Sequence, residues 1–157
     1  MTPTPELSPG ERLLRAWPAR TPAATPGHPT SGNLFLTNRR LFFVAKAGLF
    51  GRSHPPTSDR PMSLEGIGGA APHRTEMRIG YGDRMTLEGI EVDGAIYELG
   101  RAASSRTMLA EIASARRARR TELELPDDII PCQSCGRWNA LGKVLCESCV
   151  PARKNPP

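Results

Sequence analysis

The chain has no long hydrophobic run. Nowhere do the ~18 consecutive apolar residues of a membrane-spanning helix occur. The first thirty residues are rich in Pro and Thr and lack the apolar core of a secretory signal, so a soluble, cytoplasmic protein is expected, at most peripheral to a membrane. Aromatic residues make up only 5% of 157, and all four phenylalanines fall between positions 35 and 50. That segment must therefore supply a disproportionate share of the core. Cysteine is missing until position 132, which excludes a disulfide framework for most of the chain. Histidine occurs only at His28, His54 and His73, each beside a proline, and all three read as ordinary loop histidines. No nucleophile stands with a base, no carboxylate pair has a defined context, and the glycines between Gly66 and Ala71 lack both GxGxxG spacing and a phosphate-loop lysine. Catalysis is not expected.

Charge is informative once divided along the chain. The net +5 rests on 21 basic and 16 acidic residues, and Arg116, Arg117, Arg119 and Arg120 alone account for nearly all of the excess. The basic balance thus reports one cluster, at the end of a helix whose dipole favours cations there. Glu122, Glu124, Asp127 and Asp128 follow at once and can neutralise it.

The strongest local pattern is Gly32 to Lys46, two apolar runs around a polar turn. A two-residue loop at Asn38-Arg39 pairs Leu36 with Leu41, Phe35 with Phe42 and Leu34 with Phe43. Alternation then puts Leu34, Leu36, Leu41, Phe43 and Ala45 on a core face, and Phe35 and Phe42 on the other. Before it, Leu13 to Trp17 suits a strand ending ahead of Pro18, and Thr21 to Ser31 reads as loop. Met62 to Ile67 is a further strand, broken by the GIGGAAP run. Met77, Ile79 and Tyr81 alternate, as do Met85 and Leu87, and a three-residue loop from Gly82 sets Tyr81 against Met85. Asp93-Gly94 signals a type I′ turn pairing Val92 with Ala95 and Ile90 with Tyr97. From Ser104 to Arg120 the period becomes helical, with Met108, Leu109, Ile112, Ala113 and Ala115 on one stripe and Ser104 or Ser105 as N-cap. The fold class is mainly β (α+β): about seven strands in a small antiparallel barrel or sandwich, capped by one C-terminal helix.

The run Gly32-Asn33-Leu34-Phe35-Leu36-Thr37-Asn38-Arg39-Arg40-Leu41-Phe42-Phe43 resembles the GxLxLTNxRLxF hairpin of GRAM-type domains, a branch of the pleckstrin-homology (PH) superfold. The Asp-Gly hairpin and terminal amphipathic helix suit the same plan, over residues 10–120. The resemblance implies a domain that binds phosphoinositides, other membrane lipids, peptides or proteins. Lipid-binding members place Lys and Arg in the first inter-strand loop, whereas Thr21 to Ser31 here has His28 and neither.

The firmest chemical signal is Cys132-Gln-Ser-Cys135 and, ten residues on, Cys146-Glu-Ser-Cys149. Each CxxC turn brings two thiolates to one ion, and two turns complete a tetrahedron, which predicts one structural Zn2+, with an iron centre of rubredoxin type, a redox pair or unliganded thiols as the other readings. Gly136 after Cys135 and Asn139 beyond it resemble a CxxCGxxN zinc ribbon; Val150 stands where a second glycine often follows. So short a segment cannot build a core from Trp138, Leu141, Val144 and Leu145, so its folding depends on metal.

The resulting organisation is a disordered N-terminus (1–9), a PH/GRAM-like domain (10–120), an acidic, proline-bounded linker (121–130), a zinc ribbon (131–151) and a disordered tail (152–157). With a linker between the modules, Cys135→Ser is expected to unfold the ribbon and spare the domain. The functional expectation is a non-enzymatic interaction or adaptor protein. Its partner is a protein, with an anionic membrane lipid or a nucleic acid as the other readings and homo-oligomerisation left open. The alternative function is nucleic-acid binding through the ribbon and the Arg116 to Arg120 cluster. Candidate contact residues are Phe35, Phe42, Arg39, Arg40, Trp138, Arg116, Arg117, Arg119 and Arg120.

Overall fold

The computed structural model describes residues 5–22, 29–46, 61–79, 82–100, 104–140, 143, 145, 146, 148 and 149. The central hairpin of β2 (Thr30–Thr37) and β3 (Arg40–Ala45) has the register that its alternation predicts, Leu36 opposite Leu41, Phe35 opposite Phe42 and Leu34 opposite Phe43. The turn is held by Thr37, whose hydroxyl accepts from the Arg39 and Arg40 backbone N–H groups and donates to Glu11. A buried hydroxyl so used is itself fully satisfied.

Ahead of the hairpin, β1 (Leu13–Thr21) runs straight through Pro18 instead of ending before it. Along most of its length β1 pairs only with β2, touching its other neighbour, β7 (Ala95–Leu99), at Ala19 and Arg20 alone. A missing N–H is tolerated where one side of the strand has no ladder to complete. The fourth strand is shorter than expected: β4 is Met62–Ser63, and the chain then tightens into a 3₁₀ turn, Leu64–Gly66.

The next hairpin corrects both the strand start and the register. β5 (Ala70–Ile79) begins inside the glycine-rich run and carries Pro72, which it tolerates as the outermost strand of its sheet. It pairs with β6 (Asp83–Val92) so that Met77 faces Met85 and Ile79 faces Asp83, four residues away from the expected Tyr81–Met85 pairing. An even slip keeps every side chain on its face, so alternation alone does not distinguish the two registers. The Asp93-Gly94 turn is as expected, with φ of 46° and 84° and Val92 opposite Ala95. Asp93 also accepts from the Gly68 and Gly69 backbone N–H groups, clamping the glycine run to the turn.

The seven strands form one antiparallel sheet in the order β4-β3-β2-β1-β7-β6-β5. It curls strongly. Phe43 on β3 and Tyr97 on β7 have ring centroids 6.2 Å apart, although three inter-strand steps of a flat sheet would separate those strands by about 14 Å. The concave side is filled by α1 (Ser105–Glu122), capped by the Ser104 hydroxyl, which accepts from the Thr107 N–H. Met108, Leu109, Ile112 and Ala115 join Leu34, Leu36, Leu41, Phe43, Ile90, Val92 and Tyr97 in one core. The predicted helical stripe is buried, and Arg116 is buried with it at 5% exposure.

Phe35 and Phe42 stack at 5.6 Å on the opposite face. They are buried within the chain, at 2% and 4%, and the Arg40 guanidinium covers Phe42 at 4.7 Å. As candidate contact residues they are therefore corrected: both are covered within the chain, and these rings are a second buried layer. From Pro5 onward the N-terminal segment is described, and the Glu6 carbonyl and the Glu11 carboxylate both accept from Arg40. His28, His54 and the tail from residue 150 lie outside the described residues. His73 lies in β5, its Nε2 3.1 Å from the Thr75 hydroxyl.

Candidate metal centre

After α1 the chain turns back through residues 123–128 into β8 (Ile129–Pro131), which pairs with β9 (Trp138–Ala140). This two-stranded unit brackets the first CxxC turn. Cys132 N–H donates to the Arg137 carbonyl and Gly136 N–H to the Cys132 carbonyl, at 2.7 and 2.8 Å. Gly136 takes φ of 81°, a conformation that favours glycine. The same glycine packs on the helix: a Cβ there would stand 3.3 Å from Leu109 Cδ1.

The ligand atoms of Cys132, Cys135, Cys146 and Cys149 all lie within 4.8 Å of one another, and the Cys135 and Cys146 sulfurs are 3.6 Å apart. Four thiolates bonded tetrahedrally at ~2.3 Å have sulfurs about 3.8 Å apart, so the cluster has the dimensions for one metal ion. Cys132 and Cys146 are buried; Cys135 and Cys149 are half-buried. Backbone N–H groups, that of Cys135 first and then that of Cys146, bring the Cys132 thiol down to about 6. Burial, with neighbouring sulfurs behind it, pushes Cys135 up to about 12. A divalent cation would bring all four to the thiolate form. Filling the sphere with sulfur leaves no position for substrate, which suits a structural site.

The metal module is seated on α1. Arg116 is the pivot: its Nε donates to the Ile67 carbonyl at 3.0 Å, its Nη1 pairs with Asp127, and its guanidinium lies 5.4 Å from the Trp138 ring centroid. Arg117 reaches the same carboxylate at 3.2 Å, and Arg106 donates to the Gln133 carbonyl. Trp138 is half-buried and packs against the main core.

Of the remaining basic candidates Arg119, Arg120 and Arg40 are engaged, whereas the Arg39 Nε is buried without an acceptor. Arg119 pairs with Glu122 at 2.9 Å and lies 3.7 Å from Glu65, while Arg120 donates to the Glu65 and Pro126 carbonyls. The acidic residues that follow the cluster thus neutralise it, as their position suggested, through Glu122 at the end of α1 and Asp127 beyond it. Arg40 is an internal ion pair with Glu11 at 2.8 Å rather than a solvated tip residue. Sequence reasoning missed Glu11 altogether, since nothing in the segment from Glu6 to Arg12 announces a partner 29 residues away.

Glu11 makes one consequence measurable. Burial would raise its carboxyl, but Arg40, the Ser8 N–H and the Thr37 hydroxyl together bring it from 4.5 down to about 2. Its folded-state value lies below the unfolded one, so its stabilisation is complete above 4.5 and is lost as pH falls from there toward 2. Glu11→Gln is expected to cost about 1–3 kcal/mol at neutral pH and to flatten this acid limb, read from urea midpoints at several pH values. An unchanged limb would assign the acid sensitivity elsewhere.

No protein-family model, curated protein or solved structure matches this chain.

Proposed function

We propose that the protein is a non-enzymatic interaction protein, a PH/GRAM-like domain stiffened by a structural zinc ribbon, with a protein as its partner. The observation that carries this reading is the closed four-thiol cluster seated on α1 through Gly136, Trp138 and Arg116. Metal there holds shape, and what it shapes is a second surface fused to the first. Support for the PH-like plan comes from the sheet order, the single capping helix and the register of the hairpin that carries the GRAM resemblance. Zinc is favoured among metals because an all-sulfur tetrahedral set with CxxC spacing suits it. The nucleic-acid reading loses support because each arginine of the Arg116 to Arg120 cluster already has a carboxylate or carbonyl partner.

Metal analysis and native mass of the full chain, with binding to nucleic acid compared at two salt concentrations, test the proposal. One zinc per chain and no salt-steep nucleic-acid binding are expected. Binding to nucleic acid that collapses as salt rises would replace the proposal with the alternative.

A further inference from the structure

Arginines from opposite ends of the sequence meet in one cleft of about 280 Å³, between the β2–β3 turn and the end of α1. Arg39 and Arg40 come from the turn, and Arg119 from the last turn of the helix. Glu11, Glu65 and Ser63 share the lining. Glu11 accepts from both Nε and Nη2 of Arg40, whereas Glu65 faces Arg119 with its Oε2 buried and without a hydrogen bond. Arg39 is different. Among the described residues no carboxylate pairs with it, yet its Nε is buried without a hydrogen-bond acceptor. Its Nη2 is packed against Gly10, where a Cβ would stand only 3.1 Å away. The Arg119 Nε is likewise buried with no hydrogen bond, Glu65 Oε2 lying at 3.7 Å.

We infer that this cleft binds a small phosphomonoester-type oxyanion, with Arg39 and Arg119 as its principal donors. A buried guanidinium N–H with no acceptor is costly, and two such groups from separate elements line the same space. Among the described residues three arginines and two carboxylates line the cleft, and Glu122 pairs with Arg119 from outside it, which leaves Arg39 as the cation without an anionic partner. A tetrahedral oxyanion supplies several acceptor oxygens at once, two of which can meet the planar fork of a guanidinium side by side. A neutral ligand would leave Arg39 uncompensated, and a cation would be repelled by it. The volume equals that of roughly nine waters at ~30 Å³ each, room for a phosphate with a small organic substituent. The inference goes beyond the adaptor reading, since it needs neither the metal nor a protein partner.

The test is titration of the full-length, metal-loaded protein with inorganic phosphate, following the arginine Nε–H signals by NMR and the affinity by calorimetry. A saturable shift of the Arg39 and Arg119 signals is expected, persisting when ionic strength is held constant. Arg39→Gln and Arg119→Gln should each weaken binding roughly tenfold or more. Glu65→Gln should strengthen it by removing a competing anion, a gain that unfolding does not mimic. Arg84→Gln, at an exposed ion pair elsewhere, should leave it unchanged. A parallel arm uses phosphatidylcholine vesicles with and without phosphatidic acid. Binding of free phosphate alone assigns the cleft to a soluble phosphorylated ligand, and Arg39-dependent binding of the phosphatidic acid vesicles assigns it to a lipid headgroup. No saturable response in either arm, or a response indifferent to Arg39→Gln, overturns the inference.

Discussion

Removing the metal lowers the melting temperature of the whole protein, not of the C-terminal module alone. That is the expected result of stripping the full chain with a thiol-competitive chelator and following both the helix signal and, in a Trp17→Phe background that leaves Trp138 as the one tryptophan, the fluorescence. An independent module behind a linker would unfold by itself. Here the first knuckle is wedged against α1 at Gly136 and Leu109, and Asp127 compensates the buried charge of Arg116. Without metal, four sulfurs cannot hold so short a segment together, and Trp138 and Asp127 lose the geometry that places them on the helix. Leaving the Arg116 guanidinium buried without its Asp127 partner costs about 3–5 kcal/mol, and for a chain of this length that is roughly 10 °C in Tm. Cys135→Ser, which leaves three ligands, should move Tm the same way by less. An apo protein whose helix melts at the original temperature would restore the picture of two separate modules.

How much of this was readable beforehand depended on the range over which each feature is determined. The β2–β3 hairpin and the Asp93-Gly94 turn were legible because a two-residue turn fixes register from within a dozen residues. The apolar stripe of α1 and the CxxC pairs were legible for the same reason, their periods being local. The β5–β6 register was not, because residues of the same parity fit two pairings and only the rest of the sheet selects one. Pro18 and Pro72 looked like breakers; both lie where a strand lacks a full complement of neighbours, which is a property of sheet order. Phe35 and Phe42 could be assigned a face but not a cover. Glu11 and the cleft between Arg39 and Arg119 were illegible for a stronger reason: their partners lie in elements that only the curled sheet brings together.

The basic cluster gives the sharpest test of that last distinction. By sequence Arg116, Arg117, Arg119 and Arg120 form one cluster that the helix dipole and the acidic residues after it accommodate, with nothing to single out any one of them. The structure separates them. The Arg116 side chain is 6% exposed, against 53% for Arg117. Arg116→Ala strands the Asp127 carboxylate, 17% exposed, with a single exposed partner, and leaves the Ile67 carbonyl without its donor. Because an unpaired buried charge costs more than the pair was worth, the expected loss is about 3–5 kcal/mol. Arg117→Ala removes an exposed ion pair and should cost less than about 1 kcal/mol. Urea midpoints of the two variants, at equal metal occupancy, decide the matter. The pair Arg116→Met with Asp127→Leu should recover much of the loss of Arg116→Ala, since removing both charges abolishes the penalty that removing one creates. Equal costs for Arg116→Ala and Arg117→Ala would mean that the module does not rest on the helix. Unequal costs in the expected order would make Arg116 the residue through which metal binding in the tail reaches the core of the domain.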